Sequence, residues 1–227
     1  TLLGGIYNER FNTNVKRRYD GSHMNIPGIN GIVLRDHQKD AIWMLLQNGG
    51  GVIDHLVGAG KTFVMVAGTM EMKRTGVVKK PMIIALKSTI PQIVESYRSA
   101  YPMAKVLAPM EKDFEKKNIM RLFSKIANNE WDCIIMSHEN YGKIPHEKAI
   151  QEELINDELE QLREEEAQYK AENNRSALKG VLIRIKNLEA RLEKLADISK
   201  DNSLTFEQMG IDHIMVDESQ QFKNLSY

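Results

Sequence analysis

Two unbroken apolar runs, Pro81-Met82-Ile83-Ile84-Ala85-Leu86 and Cys133-Ile134-Ile135-Met136, constrain the fold of this chain more than any other feature. A strand with one wet face alternates apolar and polar residues, whereas a run with no polar member needs cover on both faces, as inside a parallel sheet. His213-Ile214-Met215-Val216 is a further run, apolar after its histidine, and Gly51-Val52-Ile53-Asp54 and Lys105-Val106-Leu107 are shorter strand candidates. Between them lie segments of helical spacing. Residues 35–47 place Ala41, Ile42, Met44, Leu45 and Leu46 on one face before Gly49-Gly50-Gly51, and residues 61–74, 89–99 and 111–127 follow. Strands alternating with helices predict an α/β fold, a parallel sheet with helices on both faces.

Residues 146–200 break that rhythm. Leu178, Val181, Ile185, Leu188, Leu192 and Leu195 recur at steps of three and four, the spacing of a coiled-coil seam; Ile155, Leu159, Leu162 and Tyr169 follow a weaker register with Glu166 at one seam position. Glu172-Asn173-Asn174-Arg175-Ser176 suits a turn. Residues 147–172 hold ten acids and three bases, and residues 173–200 seven bases and three acids, so antiparallel halves attract along their flanks. The expectation is an antiparallel helical hairpin inserted into the α/β lobe, either a solvated spacer or a contact arm for another domain, a partner or DNA. The lobe itself then comprises 34–145 and 201–227, after an irregular lead-in over 1–33 broken by Gly4, Gly5, Gly21, Gly28, Gly31 and Pro27. Gly21-Ser22-His23-Met24 within it resembles an expression-vector scar, but ordinary residues precede it, so it reads as native. The chain begins at Thr1 rather than Met, which suggests a piece of something longer.

Composition narrows the classes. The 227 residues carry 31 Lys+Arg against 31 Asp+Glu, which disfavours a mainly electrostatic nucleic-acid binder without excluding a local basic surface. The single cysteine, Cys133, leaves no intramolecular disulfide and fits a reducing cytoplasm; inside an apolar run it reads as a core residue rather than a nucleophile. No apolar run nears the roughly 20 residues that span a bilayer, and no signal peptide is evident. The six histidines lack metal-ligand spacing.

Three segments carry chemistry. Val57-Gly58-Ala59-Gly60-Lys61-Thr62 falls between a predicted strand and a predicted helix, where glycines let backbone N–H groups wrap phosphate oxygens at a positive helix end. Lys61 then reaches the β/γ-phosphates and Thr62 holds Mg²⁺. Position 55 of the full phosphate-loop pattern carries His55 instead of Gly, so what is intact is the shorter Gly-x-Gly-Lys-Thr form. Ile214-Met215-Val216-Asp217-Glu218 ends a strand in two acids, Asp217 to orient Mg²⁺ and Glu218 to polarise water as general base; the alternative is a helix-capping pair. Leu34-Arg35-Asp36-His37-Gln38 offers an amide that can both donate to and accept from an adenine edge, by the logic that pairs Gln with adenine in DNA.

The order Leu34-Arg35-x-His37-Gln38, Gly58-x-Gly60-Lys61-Thr62, Asp217-Glu218 resembles the Q motif, motif I and motif II of superfamily 2 helicases. Pro81–Gln92 looks like motif Ia of Swi/Snf-type remodellers, Ile134–Glu139 is similar to their strand ending in Ser-Tyr/His, and Lys223-Asn224 matches the pair after motif II. The likeness is nearer still to helicase modules of large proteins of bacterial plasmids, phages and conjugative elements, often fused to an adenine-specific DNA methyltransferase. Their lead-in resembles Tyr19-Asp20-Gly21-Ser22-His23, and their Glu/Lys-rich insert precedes a segment like Thr205–Asp212. No methyltransferase signature lies in this chain itself.

The resemblance implies a first RecA-like lobe, a P-loop NTPase that binds ATP with Mg²⁺ and tracks double-stranded DNA in the bacterial cytoplasm. Catalysis falls to Glu218 and Lys61, and ATP to Gln38, Arg35, Gly58, Ala59, Gly60, Lys61, Thr62 and Asp217, with Mg²⁺ at Thr62 and Asp217. Motifs III to VI of a second lobe are expected after Tyr227, so this segment alone should bind nucleotide weakly and hydrolyse it poorly. Lys87, Ser88, Thr89 and Ser137, at strand ends, are candidate DNA-phosphate contacts or else caps of the following helices. Tyr19 is a candidate for stacking on adenine or a surface aromatic. Motif II departs from the family at Ser219-Gln220, where Ala-His is usual; Gln220 can hydrogen-bond but carries no charge, which puts coupling to lobe movement in question. A motor subunit of a restriction-modification system, or a nucleotide-gated scaffold without motor activity, are the rival readings.

Overall fold

The structure, a computed structural model, describes residues 17–172, 174–197 and 204–222. Lys223-Asn224 and the first 16 residues lie outside them. The described chain falls into two units, one of residues up to Ala108 with Trp131–Ile135 and those from Asp212, the other of Pro109–Glu130 with Met136–Ile211.

In the first unit, helices α1 (Asp36–Asn48), α2 (Lys61–Arg74) and α3 (Ile90–Ala100) accompany a parallel sheet. Its strands are β1 (Pro81–Ala85), β2 (Val106–Leu107), β3 (Cys133–Ser137) and β4 (His213–Val216), in the order β2-β3-β1-β4. Pro81–Ile84 pair with His213–Val216, and Val106-Leu107 with Cys133-Ile134, all parallel. Every residue of β1 and β3 is buried, so both sheet faces are covered, as the unbroken apolar runs require. Burying one such Ile is worth about 1.5–3 kcal/mol. The architecture is the parallel sheet flanked by helices of a RecA-like P-loop lobe.

Helix α2 is the centre of this unit. Val64 to Thr69 are buried without interruption, because α1, α3 and β1 all pack on α2. The Thr69 hydroxyl donates to the Met65 carbonyl (2.8 Å), and the fully buried Tyr97 hydroxyl bonds to Thr69 Oγ1. Cys133 is buried in the same core, and burial pushes its thiol up to about 12, which makes it inert as a nucleophile.

Two aspartates set the strand register. Asp212, just before β4, accepts from the N–H groups of Lys79 (2.7 Å) and Lys80 (2.9 Å), just before β1. Asp132, just before β3, accepts from Lys105 N–H (2.7 Å) ahead of β2 and pairs with Lys73 (2.8 Å) on α2. Each carboxylate thus ties the start of its own strand to the start of its neighbour.

Two expectations are corrected here, and one is refined. Gly51–Asp54 is not a strand. It faces β4, the edge strand, across a cavity, out of ladder reach, and Val52 is 90% exposed; apolar pattern without a hydrogen-bonding neighbour does not make a strand. The lead-in has no regular element over 17–35, and it is packed. Met24, Ile26 and Leu34 belong to the core, and a side chain on Gly21 would sit 2.3 Å from the Lys39 carbonyl oxygen, so the chain crosses α1 backbone to backbone. In the second unit, the helix expected over 111–127 is a 3₁₀ turn, Glu111–Phe114, then α4 (Ile119–Asn128), parted by extended backbone at Glu115.

The second unit continues with a one-turn helix α5 (His138–Tyr141) and the hairpin α6 (Lys148–Ala171) and α7 (Arg175–Asp197). Ile155, Leu159, Leu162, Val181, Ile185, Leu188 and Leu195 form its buried seam, with Tyr169 and Leu192 at the margins. The ion pair Arg184–Glu158 (3.5 Å) crosses it in the sense that the opposite charge of the two halves predicts, and Arg163–Glu189 (3.4 Å) crosses it in the reverse sense. Asn174 Oδ1 caps α7 by accepting the Ala177 N–H. Among the described residues no helix is long and apolar enough to cross a membrane.

Candidate nucleotide-binding site

The loop before α2 is shaped by two left-handed glycines, Gly58 (φ 83°) and Gly60 (φ 79°), conformations that side chains disfavour. Gly60 is the N-cap of α2. Phe63 and Val64 donate to the Gly60 carbonyl, and Ala59 donates to Leu56. Among the described residues, the N–H groups of Gly58, Gly60, Lys61 and Thr62 donate to no protein acceptor. Four unsatisfied donors at the positive end of a 14-residue helix form an anion-binding concavity. The Lys61 ammonium spans the loop and donates to the His55 carbonyl (2.8 Å), which holds the cation against it.

The start of α1 braces this loop from the side. Gln38 is 5% exposed; its Oε1 accepts the Arg35 N–H (2.9 Å), and its amide donates to the carbonyls of Ala59 (3.3 Å) and Gly60 (3.1 Å). In this arrangement the amide donors serve the loop rather than an open adenine edge. Arg35 is exposed and enters through its backbone. His37 Nε2 donates to the Ala59 carbonyl (3.0 Å), and its ring meets His55 edge-on at 5.1 Å. Burial, then the neighbouring His37 and Lys61, hold the His55 imidazole below the ordinary histidine value, so it packs there neutral. The bracing roles of His37 and His55 went unread in the sequence; the one available signal was His55 standing where a glycine is usual.

At the carboxyl end of β4, the Asp217 N–H donates to the Ile84 carbonyl (2.8 Å), which extends the β1–β4 ladder by one bond and fixes where Asp217 stands. Glu218 follows at φ 55°, the one non-glycine at positive φ among the described residues, and is exposed. Such backbone strain concentrates at functional sites. Gln220 Nε2 donates to the Glu218 carboxylate. A cavity of about 290 Å³ is lined by Lys61 on one side and by Asp217 and Ser219 on the other, with Val64, Met65 and Met215 as its apolar floor. Lys61 and Asp217 therefore open onto one space. Tyr19, His37, Asp40 and His55 line a second cavity of about 280 Å³ beside the loop, and the Tyr19 hydroxyl is held by Asn48 (2.6 Å).

The proposed DNA contacts divide. Lys87 and Ser88 are exposed after β1, while the Thr89 hydroxyl donates to the Leu86 carbonyl (2.9 Å) within the turn that opens α3. Ser137 takes the second of its two expected roles: it is 5% exposed and its Oγ accepts the Asn140 N–H (3.1 Å), so it caps α5.

The parallel sheet, the glycine loop at a helix start and the strand-end acids define a RecA-like P-loop lobe of the helicase kind. The chain belongs to the probable helicase domain family, whose profile matches residues 43–227. No curated protein matches it. Among solved structures it is similar to a Sulfolobus solfataricus SWI2/SNF2 ATPase core in complex with dsDNA, with a TM-score of 0.40 and 18% identity over 57% of this chain. The match spans 24% of the length of that structure.

Proposed function

We propose that this lobe binds Mg·ATP and drives a Swi/Snf-type motor on double-stranded DNA. One observation carries the reading: Lys61, which opens the helix whose preceding loop leaves the N–H groups of Gly58, Gly60, Lys61 and Thr62 free, lines the same cavity as Asp217. That donor set, cationic on one side and carboxylate on the other, suits a phosphate chain bridged by a divalent ion. The bound Mg·ATP supplies the phosphoanhydride bond whose cleavage powers the cycle. The loop N–H groups and Lys61 hold its phosphates, and Thr62 and Asp217 hold the metal shell. Glu218 accepts a proton from water at its carboxylate oxygen, held in place by Gln220. Gln38 keeps the loop open for this by anchoring Ala59 and Gly60, and the aromatic cavity at Tyr19, His37 and His55 is assigned to the base. A second RecA-like lobe completes the hydrolytic site. Family membership and motif order support a nucleic-acid track, and the likeness to Swi/Snf motifs supports duplex DNA, with Lys87, Ser88 and Thr89 assigned to its phosphates. The likeness of lead-in and insert to mobile-element helicases supports a bacterial, cytoplasmic setting, with a methyltransferase in the same polypeptide.

A second reading, a nucleotide-gated scaffold, is favoured by the Gln220 amide on Glu218, which occupies a carboxylate oxygen that the motor reading gives to water. ATP turnover by the full-length protein with duplex, single-stranded or no DNA separates the two. Duplex-specific stimulation is the result expected of the motor. Bound nucleotide with turnover indifferent to DNA supports the scaffold.

A further inference from the structure

The hairpin keeps its charges apart. On α7, at about 100° per residue, Arg175, Lys179 and Lys186 project within about 40° of one another and Lys194 about 60° further round, on the side away from the Val181–Ile185–Leu188 seam. All four are exposed, and none pairs with a carboxylate among the described residues. The cation of α7 that crosses the hairpin, Arg184, stands on its flank and is already paired with Glu158. The outer cations are therefore surplus to holding the hairpin together. Glu193 stands at the angle of Arg175, and Glu189, about 40° from it, is paired with Arg163. On α6 the corresponding outer side carries Glu153, Asp157, Glu160 and Glu164, all exposed.

We infer that the outer face of α7 is a docking surface for the phosphate backbone of duplex DNA. This rests on the duplex-DNA reading of the lobe and deepens it by naming a contact arm outside the nucleotide site. The four cations extend over about 28 Å of helix, a little less than one turn of B-DNA, so they meet a row of phosphates rather than a single point charge. Around them Ile183 and Ala190 are exposed and apolar, and Ser176 and Asn187 exposed and polar; the cations themselves meet phosphates, which carry no sequence information. The acidic outer face of α6 repels the same polyanion and lets the hairpin approach by its α7 side alone.

The test is duplex binding by the 227-residue chain across a salt series, using a variant with Arg175→Gln, Lys179→Gln, Lys186→Gln and Lys194→Gln. Gln keeps helix propensity, and a helix signal equal to wild type confirms the fold. Losing four phosphate contacts should lower the slope of log affinity against log salt by about 3.6 and raise Kd at least tenfold. A second variant, Glu153→Gln, Asp157→Asn, Glu160→Gln and Glu164→Gln, should bind duplex more tightly than wild type. Wild-type binding with the same slope and Kd in the α7 variant overturns the surface and leaves the lobe's duplex reading standing. No duplex binding by wild type at any salt overturns that reading and the surface with it. Self-association of wild type that the α7 variant abolishes, without a change in DNA affinity, overturns the inference in favour of a second copy's α6.

Discussion

Gly60→Ala should lose both stability and nucleotide affinity, whereas Gly58→Ala should lose far less. Both glycines are left-handed, at φ 79° and 83°, so each alanine meets backbone strain of about 1 kcal/mol. Their surroundings differ. A Cβ at Gly58 enters open space, but at Gly60 it would stand 2.4 Å from Gln38 Nε2. Gln38 is buried and committed on both ends of its amide, to Arg35 on one side and to Ala59 and Gly60 on the other. Displacing it leaves buried polar groups without partners, at about 1–3 kcal/mol more. Gly60→Ala is therefore expected to cost about 2–4 kcal/mol in urea unfolding and to weaken Mg·ATP binding at least tenfold. Gly58→Ala is the matched control for strain alone. Equal effects of the two would show that the Gln38 brace does not matter.

Glu218→Gln should separate chemistry from binding. The residue is exposed and stands beyond the cavity lining that holds Lys61 and Asp217, so removing its charge leaves the phosphate and metal contacts in place. What it removes is the proton acceptor. In the full-length protein, turnover should fall by about 10²–10⁴-fold while nucleotide affinity stays within about twofold. A fall in affinity as large as the fall in rate would move Glu218 from proton transfer to ligand holding.

Much of this was legible in the chain because it depends on local pattern. The apolar runs at 81–86 and 132–136 mark β1 and β3, since a strand buried on both faces must be apolar on both, and the run at 213–216 marks β4, the partly buried edge strand. The 61–74 helix and the hairpin followed from spacing, which the structure matches to the residue for α2. What local pattern left open has its cause in long-range geometry. Gly51–Asp54 has a strand's composition, but β4 stands across a cavity from it. Ser137 reads as a strand-end hydroxyl, and only its burial shows that Asn140 uses it. Gln38 looks like a base reader until the loop, 21 residues on, is seen to take its amide hydrogens. The register aspartates Asp132 and Asp212 each stand directly before an apolar run, a repeated position that could have been noticed without coordinates.

The most direct measurement is calorimetric titration of Mg·ATP into the 227-residue chain, beside a Lys61→Ala variant. Lys61 carries the cation that lies against the phosphate loop, in the cavity it shares with Asp217. The account predicts measurable binding by wild type that requires Mg²⁺ and weakens about a hundredfold or more in Lys61→Ala, a loss near 2.7 kcal/mol. Equal affinity in both proteins, or wild-type binding indifferent to Mg²⁺, would contradict a nucleotide site built on this loop and these acids.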